Sequence, residues 1–131
     1  MRRNWTKQER DKIVSRDEGR CIYCGKPAKG IDHVIPFSEG GRTSTTNGVC
    51  CCLKCNRSKH TSLEEKWIVK GLARLIQHGE DISWVGRIRY EPVVPSYQYA
   101  IELLYNGDLS TVEIAQILKL DVETVKECLS I

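Results

Sequence analysis

Two cysteine pairs, Cys21-x-x-Cys24 and Cys52-x-x-Cys55, constrain this chain more than any other feature. Two thiols at that spacing grip one tetrahedral ion from a tight turn, and two such pairs make a four-thiolate zinc site. Gly25 directly follows the first pair, as a knuckle turn with a permissive backbone prefers. Four thiolates leave no open position for substrate, so the ion is structural. The 27 residues between the pairs exceed the spacing of a short ribbon, so the insertion must hold structure of its own. Cys51 competes with Cys52 for the fourth ligand place, and the two-residue spacing to Cys55 favours Cys52. Cys128 falls on the apolar side of the last helix and is expected as a small core residue.

The other uses of cysteine fare worse. The count is seven, an odd number, and the opening residues MRRNWTKQER hold no apolar run of the kind a signal peptide needs. A disulfide framework is therefore disfavoured and an intracellular location expected. No stretch approaches the ~20 apolar residues of a membrane span. The charge is uneven: residues 1–60 carry 13 Lys or Arg against 6 Asp or Glu, and residues 61–131 carry 7 against 11. The first half thus owns the positive field that attracts phosphates.

Along the chain, residues 4–19 read as a helix stopped by Gly19. Residues 29–35 read as a short strand ended by Pro36, and 47–51 as a second, with a polar loop rich in glycine and hydroxyls between them. A helix is expected to begin around Leu53 to Asn56. Thr61 with Glu64, and Ser62 with Glu65, are overlapping capping boxes that predict a further helix. It would bury Leu63, Trp67, Leu72, Leu75 and Ile76, interrupted by Gly71. Residues 79–96, with Gly79, Gly86, Pro92 and Pro95, read as a linker with one strand, ISWVGRIRY. Helices are expected at 97–105, 111–118 and 122–129, the last capped by Asp121.

Inside the cysteine frame stand Asp32, His33 and Asn47, with Asn56 immediately after the last cysteine. The stretch CIYCGKPAKGIDHVIPFSEGGRTSTTNGVCCCLKCNRSK resembles the HNH endonuclease family in residues and spacing. The resemblance covers about residues 20–60 and implies a ββα-metal fold; with the expected flanking helices and all-helical C-terminal tail, the expected class is α+β around a zinc-stapled core. The expected division is 1–78 for the nuclease domain, 79–96 for the linker and 97–131 for a helix-turn-helix-like unit. The resemblance also implies roles: His33 the general base, Asp32 a metal ligand, Asn47 the residue that orients the base and its loop, and Asn56 a second ligand. Asn56 stands where many members have His, which makes this an HNN variant.

The chemistry is reasonable on its own terms. A phosphodiester resists attack, so a divalent ion is needed to neutralise the transition state while a base takes a proton from water. Imidazole titrates near neutral pH. Asp and Asn offer hard oxygens suited to Mg²⁺ or Mn²⁺. His60 lies four residues after Asn56, a helical spacing that would place both on one face. An imidazole there would extend tolerance to Co²⁺ or Ni²⁺. Arg42, Arg57 and Lys59 are candidate phosphate contacts on DNA. One condition is geometric: neighbours on a regular strand face opposite ways, so Asp32 and His33 share a site only if the strand ends or bends there.

In size and layout the chain is similar to small phage endonucleases linked to genome packaging, which implies a packaging protein as a further partner. The competing reading is a non-catalytic zinc module joined to a DNA-binding helix-turn-helix, a small regulator. STVEIAQILKLDVETVKECL has that pattern, with Ala115 at a close-packing position, but residues 92–131 hold 2 Lys against 6 Asp or Glu.

Overall fold

Thr6 starts the first helix: its hydroxyl accepts from the Glu9 amide at 3.1 Å and the Glu9 carboxylate accepts from the Thr6 amide at 2.9 Å. This reciprocal cap sets the start of α1 (Lys7–Arg16), three residues later than the apolar pattern suggests. The structure, a computed structural model, describes residues 2–94 and 96–131. Pro95, one of the expected linker markers, lies outside the described residues.

The cysteine-framed insertion folds into an antiparallel pair, β1 (Gly30–His33) and β2 (Gly48–Cys51). The register sets Asp32 opposite Val49 and His33 opposite Gly48. Gly48 is the place where this hairpin meets α1: a Cβ there would lie 2.6 Å from Ile13 and 2.7 Å from Trp5. Arg16 clamps the same junction, donating to the Thr45 and Gly48 carbonyls at 2.9 and 2.6 Å. β2 leads into α2 (Leu53–Lys59), which completes the ββα unit. The expected α+β class and its all-helical tail are present.

α3 (Glu65–Gln77) begins later than the two capping boxes predict, and neither box forms. The reason lies far along the chain. Val93 donates to the Leu63 carbonyl at 2.7 Å and accepts from the Glu65 amide at 2.8 Å, which draws residues 63–64 into an extended bridge. Ser62 caps only locally, its hydroxyl accepting from Glu64 N at 3.1 Å. The buried side of α3 is Ile68, Val69, Gly71, Leu72 and Leu75, with Leu63, Trp67 and Ile76 partly buried. Gly71 serves this packing: a Cβ would meet Val34 Cγ1 at 2.5 Å, so helix and hairpin approach as only glycine permits.

The segment expected as a linker is built into the core. The predicted strand ISWVGRIRY is instead a 3-10 turn over Ser83–Arg87 that buries Trp84 and Val85. Tyr90 is buried with its hydroxyl on the Ile117 carbonyl, and Lys119 donates to the Ile88 carbonyl at 2.9 Å. Both partners belong to the tail, which comprises α4 (Tyr97–Asn106), α5 (Thr111–Leu118) and α6 (Val122–Leu129). Ser110 and Glu113 form a capping box at α5, whereas Asp121 caps α6 without a side-chain hydrogen bond. Ala115 is buried as expected, and Cys128 is half-buried beside the core. One apolar cluster runs from Cys21 through Leu72 and Trp84 to Val125, joining hairpin, turn and tail. Among the described residues, no helix is long and apolar enough to cross a membrane.

Candidate active site and zinc centre

The two cysteine knuckles meet. The Sγ atoms of Cys21, Cys24, Cys52 and Cys55 all lie within 4.8 Å of one another, which fits a single tetrahedral ion. Gly25 adopts φ +82° and donates to the Cys21 carbonyl at 2.8 Å, closing the first knuckle. The second is the start of α2, where Cys52 is the N-cap and accepts from the Cys55 amide at 3.4 Å. That amide pulls the Cys52 thiol down to about 7, towards the thiolate that zinc takes. Cys51 stays out of the cluster. Its thiol is buried against the Cys52 carbonyl, and burial pushes it far above the ordinary thiol range. Cys50 turns to α1 instead, its Sγ 3.8 Å from the Ile13 carbonyl.

On the other side of α2, a cavity of about 350 Å³ is lined by Asp32, His33, Asn56, His60, Arg3 and Arg57 among others. β1 ends at His33, so the two neighbours reach one cavity at the strand's end. His33 sits between aromatic rings, 4.5 Å from Trp5 and 5.8 Å from Phe37 by centroid. Its Nε2 shares a 2.9 Å hydrogen bond with the Thr43 hydroxyl. Burial, with Arg3 and Lys59 nearby, pushes the imidazole down to about 4.

Asn47 is fully buried, and its side-chain hydrogen bonds go to Ile35 and Arg42, closing the loop that carries Thr43. Its carboxamide accepts from Ile35 N at 2.9 Å and donates to the Ile35 and Arg42 carbonyls at 3.0 and 2.9 Å. Gly41 belongs to this closure, since a Cβ would fall 1.7 Å from the Ile35 carbonyl oxygen.

Asp32 is buried at 6 % exposure, its carboxylate accepting from the Tyr23 hydroxyl at 2.8 Å and paired with Lys59 at 3.2 Å. Burial raises the Asp32 carboxyl and lowers the Lys59 ammonium, and each charge offsets the other's shift. The reading of Lys59 as a phosphate contact is thereby corrected. The side chain is 1 % exposed, and its ammonium also donates to the His33 carbonyl at 2.9 Å, tying α2 to the end of β1. Arg57 is exposed and lines the cavity. Arg42 is exposed elsewhere, its guanidinium 5.4 Å from the Trp84 ring centroid.

His60 reaches the cavity by a route other than the expected one. α2 stops at Lys59, and His60 is its C-cap at φ +45°, so no helical face pairs it with Asn56. Its Nδ1 lies 3.4 Å from the Thr61 hydroxyl. Among the described residues, the four cysteines are the one group of three or more His, Cys, Asp or Glu whose ligand atoms converge on a single point. Asp32 and the Asn56 carboxamide bring hard oxygens to the same cavity, with the Asp32 carboxylate engaged by Tyr23 and Lys59.

Thr43, Tyr23 and Arg3 were not legible as site residues. Arg3 sits in the basic opening run, which signalled charge but no position. Thr43 and Tyr23 carried no signal of their own, because a lone hydroxyl in a polar loop or beside a cysteine is ordinary.

Residues 21–62 match the family model described as HNH endonuclease. The chain is also 34% identical over 70 residues to the type IV methyl-directed restriction enzyme EcoKMcrA of Escherichia coli (strain K12). That alignment takes in 46% of this chain and 25% of the relative, so the chain spans about a quarter of the relative's length. No solved structure matches the chain.

Proposed function

We propose that this protein is a metal-dependent DNA endonuclease that hydrolyses phosphodiester bonds with His33 as general base. The observation that carries the reading is the convergence of Asp32, His33 and Asn56 on one cation-rimmed cavity within the HNH segment. The relative in Escherichia coli is a restriction enzyme, which supports DNA as the substrate.

With Nε2 engaged by Thr43, Nδ1 is the ring nitrogen left to accept a proton from the attacking water. That role requires the tautomer in which Nε2–H donates to the Thr43 hydroxyl. The aromatic walls, Trp5 and Phe37, hold the ring and keep it neutral by excluding water. Arg3 and Arg57 attract and orient the phosphate. Asp32 and Asn56, with His60 as a third candidate, would hold the catalytic Mg²⁺ or Mn²⁺, which supplies charge neutralisation at the scissile phosphate. Co²⁺ or Ni²⁺ would substitute if His60 joins the shell. Asn47 and Lys59 are positioning residues.

Phage DNA processing, with a packaging protein as partner, is the setting we attach to this activity, on resemblance in size and layout alone. The rival reading, a zinc-stapled regulator, is favoured by the α5–turn–α6 arrangement in the tail. Incubating the purified protein with supercoiled plasmid and Mg²⁺ or Mn²⁺ separates the two. Nicked or linear product that disappears with chelator is expected, and plasmid that is bound but never cut would favour the regulator.

A further inference from the structure

A cavity larger than the His33 one lies elsewhere on the molecule. A groove of about 790 Å³ runs between α3 and α4, on the far side of Tyr23 and Cys55 from the His33 cavity. Its floor is apolar, with Val69, Ala73, Leu104 and Leu109. Trp67 of α3 and Tyr99 of α4 line it, and Tyr99 is 61% exposed, a large aromatic that the fold leaves open.

Charge along the groove is one-sided. Lys66, Lys70 and Arg74 follow one another at four-residue intervals on α3, which sets them in a row along one face of the helix. Lys66 stands 5.3 Å from the Trp67 ring centroid, and Lys70 reaches the Tyr23 carbonyl at 2.6 Å. Arg74 is exposed. Against these three cations the lining holds one carboxylate, Glu65, whose Oε1 is buried without a hydrogen-bond partner. Such an atom calls for a donor, because an unmatched buried acceptor is costly.

We infer that this groove binds an unpaired stretch of nucleic acid, with bases stacked on Trp67 and Tyr99, phosphates on the α3 cations and a base N–H donated to Glu65. Aromatic faces stack any base and a cationic row tracks the backbone, which is how single strands are held. A carboxylate at the groove accepts from exocyclic amino groups, as acidic side chains do on cytosine. The occupant is argued from charge complementarity together with the stacking surface. An acidic peptide would satisfy the cations, but its carboxylate side chains offer no planar face to stack on Trp67 and Tyr99. The inference rests on the nuclease reading only for the identity of the polyanion, and uses no residue of the His33 cavity.

The test measures binding apart from cleavage. The full-length protein, zinc-loaded and free of added Mg²⁺ or Mn²⁺, is titrated into a fluorescein-labelled single strand of roughly ten nucleotides, within the usual footprint of such sites. The controls are an abasic strand of equal length, the matching duplex and polyglutamate. The base-bearing strand should bind at least about tenfold tighter than the abasic strand. Tyr99→Ala should remove that preference, with zinc content and circular dichroism unchanged because the side chain is largely exposed. Arg74→Gln should weaken both strands and flatten the salt dependence. Equal binding of base-bearing and abasic strands, an unaltered preference in Tyr99→Ala, or polyglutamate binding as tightly as the strand would each overturn the inference. Plasmid cleavage is followed in parallel. Base-preferring binding without any cutting supports the groove and sinks the nuclease reading, whereas cutting without base preference does the reverse.

Discussion

His33 and Asp32 are held by different means, and the difference can be tested one residue at a time. The imidazole depends on a hydroxyl, so Thr43→Val should slow cleavage about tenfold or more through misplacement of the base, while Thr43→Ser should stay close to wild type. Plasmid cleavage rates with a circular-dichroism check on folding would show it. The carboxylate depends on a buried charge. Lys59→Met should cost roughly 3–5 kcal/mol in urea unfolding, because it leaves Asp32 uncompensated in the interior. Adding Asp32→Asn to that variant should recover part of the loss, and a purely additive pair would contradict the coupling. Asp32, His33 and the cysteines were legible because chemistry ties them to short fixed spacings. Thr43, Tyr23 and Lys59 acquire their roles from partners 9 to 27 residues away, which no local pattern encodes.

At the scale of the element, α3 shows where local preference loses to packing. Thr61, Ser62 and their glutamates offered two well-formed caps, yet the strand-like contact with Val93 claims residues 63–65 first. His60 was misplaced by the same kind of reasoning, since a four-residue spacing means one face only while the helix continues, and α2 stops one residue short. Gly71 weakened the helical pattern and proves to be its contact point. Gly71→Ala should therefore destabilise by about 1–3 kcal/mol from overpacking against Val34, although alanine is the better helix former by about 1 kcal/mol. Thermal or urea unfolding checks the sign. A stabilised Gly71→Ala protein would mean that helix and hairpin sit farther apart than described.

For the whole molecule, zinc staple, hairpin and tail share one core, and the expected linker supplies its middle through Trp84 and Tyr90. The tail's helices were legible from periodicity; their docking was not, because Tyr90 bonds to a backbone carbonyl that any sequence would offer. Ile117→Ala, at the far end of that core, should cost roughly 2–5 kcal/mol and lower the melting of the entire chain in one transition. Two separated transitions, with the zinc half unmoved, would show independent units instead.

Single-turnover cleavage of supercoiled plasmid by the wild-type protein and by His33→Ala, both with one bound zinc and matched DNA affinity, tests the central claim most directly. The account predicts metal-dependent cutting by the wild type and a loss of roughly 10² to 10⁴ in rate for His33→Ala. A His33→Ala protein that cuts at the parent's rate would contradict it.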